Sequence, residues 1–204
     1  SRLLCLENTV GGKAVSLEKM KDVSKTARKN NLSIHLDGAR FFNAVTALNC
    51  KPEELANCAD SVSVCLSKGL GTPLGTVLVG SSNFIRKARR NRKILGGSMR
   101  QVGIVAAAGH YALDNNISRL VEDHNRAKFL ANELREMNIG HIDSGTNMVF
   151  FTPKDGRAEK LRLHLEKYGV KIGDQTPSIR MVLHRDISDE GLDKAIAGFK
   201  SFYQ

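Results

Sequence analysis

The chain has 204 residues, of which 41% are hydrophobic, 25% charged and 5% aromatic, a balance typical of an ordinary globular protein. No apolar run reaches the length of a membrane-spanning helix, so the sequence predicts no contact with a membrane. Much of the formal net charge of +10 comes from a basic run at residues 86–93. Neither an aromatic RNA-binding signature nor a helix-turn-helix pattern accompanies this run, so no nucleic-acid partner is expected.

The cysteines, at positions 5, 50, 58 and 65, are too far apart in sequence to resemble a zinc site. The sequence therefore predicts no metal centre. Free thiols are typical of a reducing compartment, which favours a cytoplasmic location. The chain opens on a strand-like segment without a methionine or a signal peptide, as if it began within a domain.

The first half of the chain alternates strands with helices. Strands are predicted over residues 3–6, 32–36, 62–66 and 76–79, and helices over 17–30, 41–48, 52–56 and 84–94. Ser82 is the expected N-cap of the last of these helices. This alternation predicts an α/β fold, with three layers and a mostly parallel sheet covered on both faces.

The pattern changes in the second half. A helix rich in small residues is predicted over 102–113 and a long amphipathic helix over 120–137. Further strands are predicted over 139–142, 147–151, 170–172 and 179–183, and helices over 158–168 and 189–202. We therefore expect a partial large domain over residues 1–118, followed by a connecting helix and a small C-terminal α+β domain over 119–204.

Two strand ends carry the residues with the strongest chemical signal. Asp37 ends one apolar strand, and Lys68 follows another just before a glycine-rich turn. Ligands bind at strand ends in α/β sheets, and pyridoxal 5'-phosphate (PLP) requires a lysine to form a Schiff base and a carboxylate to pair with its ring nitrogen. The alternatives are a surface lysine at the end of a strand and an aspartate that caps the next helix.

Two neighbouring residues extend this hypothesis. Arg40 stands at the start of a helix, where its guanidinium could hold a substrate carboxylate in two parallel hydrogen bonds. His35 lies on the same side of its strand as Asp37, so it either supports the site or packs inward.

Five segments resemble, in order, motifs of the low-specificity L-threonine aldolases. They are LENT (6–9), HLDGARFFNA (35–44), CLSKGLGTPLG (65–75), ILGGSMRQ (94–101) and RMVLH (180–184). The resemblance spans nearly the whole chain. It implies PLP dependence, the fold-type I architecture, and cleavage of L-threonine or L-allo-threonine to glycine and acetaldehyde.

The resemblance also implies a role for each candidate residue. Lys68 would bind PLP covalently, Asp37 would pair with the ring nitrogen, and Arg40 and Arg180 would hold the substrate carboxylate. Arg100 would contact the cofactor phosphate from a neighbouring subunit, and Lys93 would lie near the active site. The family implies a homodimer or a homotetramer.

The sequence departs from the family in its N-terminal portion. Roughly the first third of a typical member has no counterpart here. That third normally supplies a histidine stacked on the cofactor, a small phosphate-binding turn and a histidine near the substrate hydroxyl. One alternative is therefore a non-catalytic chain that pairs with full-length subunits. A second alternative, independent of this departure, is an aldolase for other β-hydroxy-α-amino acids.

Overall fold

The computed structural model describes residues 1–173 and 177–204. The chain divides into two compact units. Unit 1 comprises Ser1–Val10 and Ala14–Leu120, and unit 2 comprises Gly11–Lys13 and Val121–Gln204. Within the described ranges, no helix combines the length and the apolar character needed to cross a bilayer.

Unit 1 is built on a four-stranded sheet. Its elements are β1 (Leu3–Glu7), α1 (Leu17–Lys29), β2 (Ser33–Gly38), α2 (Phe41–Leu48), α3 (Pro52–Ala56), β3 (Ser61–Cys65), β4 (Thr76–Gly80), α4 (Ser82–Ile94) and α5 (Gly103–Asn115). The strand order is β1-β2-β3-β4. The first three strands are parallel and β4 is antiparallel to β3.

Connection lengths explain these directions. Helix α1 links β1 to β2, and α2 with α3 links β2 to β3, as parallel crossovers require. Only residues 66–75 separate β3 from β4, which is short for a parallel crossover. The last strand therefore returns antiparallel to β3, and the sheet is mixed.

One face of the sheet holds the core of unit 1. Alternate side chains of β2 and β3, including Leu36, Val62 and Val64, are buried with Met20 of α1 and Phe41 of α2. On the opposite face of β2, Ser33 and Asp37 are exposed and His35 is half-buried. Polar groups of this strand are thus accessible while its apolar face is covered.

Strand β4 and helix α4 are two exposed elements of unit 1. All five residues of β4 are exposed, and α4 contains no buried residue. The N-cap of α4 is Ser81, whose hydroxyl accepts a hydrogen bond from the Phe84 amide at 3.3 Å. The prediction of Ser82 as the cap is wrong by one residue, because Ser82 is already helical.

Unit 2 pairs a small antiparallel sheet with helices. Its elements are α6 (Leu120–Glu136, beginning at the last residue of unit 1), β5 (Gly140–Gly145), β6 (Met148–Pro153), α7 (Ala158–Glu166), β7 (Ile179–Val182) and α8 (Asp189–Tyr203). The strand order is β5-β6-β7. Phe151, Leu161 and Phe199 are fully buried at the centre of its own hydrophobic core.

The strand predicted over residues 170–172 is wrong. Val170 and Ile172 are partly buried against the core of unit 2, which reproduces the alternation of a strand. The Val170 amide, however, donates to the Leu165 carbonyl at 3.1 Å and so closes the end of α7. Gly169, with φ +72°, allows the chain to turn there.

The short segment Gly11–Lys13 belongs to unit 2 through contacts with the β5–β6 hairpin. The Thr146 hydroxyl donates to the Gly12 carbonyl at 2.7 Å, and Lys13 Nζ lies 2.7 Å from Asp143 Oδ2. A Cβ on Gly12 would lie 2.8 Å from the Gly145 carbonyl oxygen, so the two backbones touch. A glycine is required where backbones approach this closely.

Candidate active site

Lys68 lies in a closed loop that follows β3. The Leu66 amide donates to the Gly75 carbonyl at 3.0 Å, which joins the two ends of the loop. Inside it, the Gly71 amide donates to the Lys68 carbonyl at 2.9 Å and forms a tight turn. The Lys68 side chain is exposed. Its amine is therefore presented from a constrained backbone at the carboxyl end of β3.

Asp37 lies at the corresponding end of the neighbouring strand. It pairs with Ser63 of β3, and its carboxylate Oδ1 accepts a hydrogen bond from the Ala39 amide at 2.9 Å. Among the residues that the structure describes, this amide is the only bonded partner of the carboxylate. The second oxygen of this exposed side chain therefore remains available to a ligand.

The helix-capping alternative for Asp37 is wrong. The N-cap of α2 is Arg40, which makes no side-chain capping bond to that helix. The bond from Ala39 to Asp37 instead closes a turn between β2 and α2, as aspartates often do in loops. The carboxylate of this strand residue is thus held against the turn that follows β2 and keeps one oxygen open.

Gly38 explains how the ends of β2 and β3 come close together. A Cβ at this position would lie 2.6 Å from the Ser63 carbonyl oxygen and 3.0 Å from Phe41 Cβ. Real Cβ atoms do not approach a carbonyl oxygen this closely. Glycine is therefore needed between Asp37 and the turn that leads to Arg40.

Arg40 and His35 lie beside Asp37 on the same segment. Arg40 is half-buried directly before α2. The His35 ring is half-buried, and its Nδ1 lies 2.8 Å from the Ser61 hydroxyl on β3. His35 therefore links the two strands beneath the position of Asp37.

The other candidate residues lie further along the chain. Lys93 is in the last turn of α4 and Arg100 is between α4 and α5; both side chains are exposed. Arg180 lies in unit 2, exposed on β7 opposite Phe150, and lines a cavity of about 590 Å³ together with Lys171. Lys68, Asp37 and Arg40 all lie at the carboxyl ends of β2 and β3 in unit 1.

These residues fit the chemical requirements of PLP. Lys68 supplies an accessible amine, and Asp37 supplies a carboxylate with one oxygen open to a protonated ring nitrogen. Gly38 and Ala39 place little bulk beside that carboxylate. The cluster at this end of the sheet thus has the donor set of a covalent PLP site.

Comparison with known proteins now decides the family. The family model described as beta-eliminating lyase matches residues 1–155. The chain belongs to the beta-eliminating lyase family. A low-specificity L-threonine aldolase of Escherichia coli (strain K12) is 44% identical over 202 residues, which cover 99% of this chain and 60% of that relative. The predicted resemblance is confirmed, and the chain spans about 60% of the length of this relative.

Solved structures of the same architecture support the fold. The threonine aldolase of Leishmania major has a TM-score of 0.81 and 17% identity, over all of this chain and 61% of its own. The structure of SPT with a PLP internal aldimine has a TM-score of 0.74 and 16% identity, over 98% of this chain and 54% of its own. The predicted α/β class is thus confirmed as the PLP fold-type I architecture of this lyase family.

Sequence reasoning missed one residue that contacts the Lys68 loop. Asn116 is buried at the end of α5, and its side-chain amide donates to the Leu70 carbonyl at 2.8 Å. The local pattern around Asn116 indicates a helix end and nothing more. No signal in a lone sequence links it to a loop 46 residues earlier.

Proposed function

We propose that this chain is part of a PLP-dependent lyase that cleaves L-threonine and L-allo-threonine to glycine and acetaldehyde. The observation that carries the proposal is the pair of Lys68 and Asp37 at adjacent strand ends in unit 1, one with an exposed amine and the other with an open carboxylate oxygen. The E. coli relative named for this activity supports the choice of substrate.

In this proposal Lys68 and Asp37 hold the cofactor. Lys68 would hold the cofactor covalently through its amine, and the open oxygen of Asp37 would pair with the protonated ring nitrogen. PLP, when bound, supplies an electron-accepting ring that stabilises negative charge at the substrate α-carbon. Asp37 favours this charge distribution because a carboxylate stabilises a cation at hydrogen-bond distance.

The substrate carboxylate is assigned to two arginines. Arg40 stands directly after the Asp37 turn, and Arg180 is exposed on β7. A guanidinium holds a carboxylate through two parallel hydrogen bonds, which fixes the orientation of the bond to be broken. We assign Arg100 to the cofactor phosphate and Lys93 to the approach to the site, because both are exposed cations, Arg100 within the ILGGSMRQ segment and Lys93 directly before it.

The proposal includes assembly and location. We propose a homodimer or a homotetramer in which the site is completed by a neighbouring subunit, and no nucleic-acid or membrane partner. A cytoplasmic location accords with Cys5, Cys50, Cys58 and Cys65 all being free thiols.

A visible absorbance spectrum of the purified chain with added PLP tests the proposal. We expect a band that arises from PLP bound to Lys68 and that Lys68→Ala abolishes. Lys87→Ala, which removes an exposed lysine of α4, is the matched control and should retain the band. A band that survives Lys68→Ala would show that another lysine binds the cofactor.

Product analysis separates the remaining alternatives. Glycine and acetaldehyde formed from L-threonine support the proposed substrate. Glycine formed only from bulkier β-hydroxy-α-amino acids indicates a different aldolase. A Lys68-dependent band without turnover of any substrate, together with co-purification of a longer homologue, favours a non-catalytic subunit.

A further inference from the structure

The backbone around Lys68 is held by a set of hydrogen bonds within unit 1. Apart from the Leu66–Gly75 closure and the Lys68–Gly71 turn, the Thr72 amide donates to the Leu66 carbonyl at 3.2 Å. Gly69 is buried in the same turn, and a Cβ there would lie 3.0 Å from Leu120 Cδ2 and 3.2 Å from Asn43 Oδ1. The turn is thus seated directly on buried side chains.

Leu70 fixes the turn from the inside. The whole residue is 3% exposed and belongs to the core cluster of unit 1, so its backbone carbonyl is buried together with its side chain. A buried carbonyl without a hydrogen-bond partner is strongly unfavourable. The Asn116 amide, itself 6% exposed, donates to this carbonyl at 2.8 Å.

Asn116 is itself well anchored. Its backbone amide donates to the Ala112 carbonyl at 2.9 Å at the end of α5, and the chain turns immediately afterwards towards the buried Leu120. The side chain therefore extends from a rigid helix end to a turn two residues after Lys68. A bond between such elements holds the turn to one geometry.

We propose that Asn116 is a positioning residue that fixes the Lys68 turn so that the amine meets the cofactor aldehyde. This inference rests on the proposed function, because it assumes that Lys68 is the residue that binds PLP. Asn116 itself touches neither cofactor nor substrate in this assignment. Its effect passes through the Leu70 carbonyl to the backbone that carries Lys68.

Replacement by leucine tests the inference with a matched control. Asn116→Leu keeps the approximate size of the side chain and removes the donor. Asn147→Leu removes an equivalent bond in unit 2, where the buried Asn147 amide donates to the Leu183 carbonyl at 2.9 Å. Asn116→Ala is the second variant, in case leucine prevents folding.

The first measurement is amide hydrogen exchange by NMR in the full chain. We expect the Gly71 and Thr72 amides to exchange about 10-fold faster in the Asn116 variants, because losing the donor releases the Leu70 carbonyl from its buried position. Asn147→Leu should leave these two amides unchanged. The inference would be overturned if exchange of the Gly71 and Thr72 amides accelerated equally in the Asn116 variants and in Asn147→Leu, or if it accelerated in none of them.

The second measurement is covalent labelling of Lys68 by PLP, trapped by borohydride reduction and located by peptide mass spectrometry. We expect the rate at Lys68 to fall about 10-fold in the Asn116 variants and to stay the same in Asn147→Leu. Unchanged labelling in the Asn116 variants would refute a positioning role.

The two measurements distinguish failure of the inference from failure of the proposed function. If the wild-type chain is not labelled at Lys68, the proposed function is rejected. The exchange rates of Gly71 and Thr72 then still decide whether Asn116 holds the turn.

Discussion

The Tyr203 hydroxyl is buried near the C-terminal end of α8 and, among the described residues, has no hydrogen-bond partner. Its ring packs edge-on against Phe151 and Phe202, and the Arg157 guanidinium lies 5.4 Å from its centroid. Burial, followed by the nearby Asp155 carboxylate, raises the pKa of Tyr203 from 10.0 to about 12. The folded chain therefore keeps a proton that the unfolded chain loses at lower pH.

This difference predicts alkaline destabilisation with a defined sign. Because the folded-state pKa is raised, the contribution of Tyr203 is complete below pH 10 and is lost as the pH rises towards 12. Urea unfolding from pH 9 to 12 should show a steeper loss of stability for wild type than for Tyr203→Phe. Tyr111→Phe, which changes a tyrosine that is 62% exposed, should follow wild type. Parallel curves for wild type and Tyr203→Phe would contradict this prediction.

At the scale of elements, the cap of α4 gives a test with adjacent serines. Ser81→Ala removes the acceptor of the Phe84 amide and should destabilise the first turn of α4 by about 1 kcal/mol. The Phe84 amide should then exchange about 5-fold faster by NMR. Ser82→Ala, one residue into the helix, should have almost no effect. An equal response to both substitutions would mean that the hydroxyl of Ser81 does not cap α4.

Periodicity and turn signals predicted most helices and strands of this chain, because residues close to one another in the sequence determine where these elements begin and end. Helices α2 and α3 have the predicted bounds, since each begins and ends at local breaks in the pattern. The antiparallel direction of β4 follows from the short connection of residues 66–75, whose length can be read from the sequence. The strand prediction for residues 170–172 failed because their burial alternates as in a strand, whereas the Val170 amide donates to a carbonyl of α7 and closes the end of that helix.

The candidate site was predictable to the extent that it lies on the motifs themselves. Asp37 lies near the end of β2 and Lys68 follows β3, and the parallel pairing of these strands places both residues at one end of the sheet. Asn116 could not be predicted, because the Leu70 carbonyl that it binds is distant in sequence and has no side-chain signature. Long-range contacts to backbone atoms leave little trace in a lone sequence.

At the scale of the whole molecule, the residues that the structure describes form two hydrophobic cores, one in each unit. Leu161 of α7 is fully buried in the core of unit 2, whereas Leu163 on the same helix is 49% exposed. Leu161→Ala should therefore destabilise unit 2 by about 2–5 kcal/mol, and Leu163→Ala should change its stability little.

Hydrogen exchange by mass spectrometry provides the measurement. Peptides from β5, β6 and α7 should lose protection in Leu161→Ala, and those from β2 and β3 should lose less, because they belong to the other core. Uniform loss of protection throughout the chain would indicate that both cores unfold as one cooperative unit.

The exposure of β4 has a consequence for the colloidal behaviour of the protein. Val77, Leu78 and Val79 are between 38% and 48% exposed on a strand at the end of the sheet order, where unpaired backbone groups of two molecules can join. The following helix, α4, carries six arginines and lysines, whose mutual repulsion keeps molecules apart. Added salt reduces the range of this repulsion to about 3 Å at 1 M ionic strength. Raising the salt concentration should therefore cause the protein to self-associate.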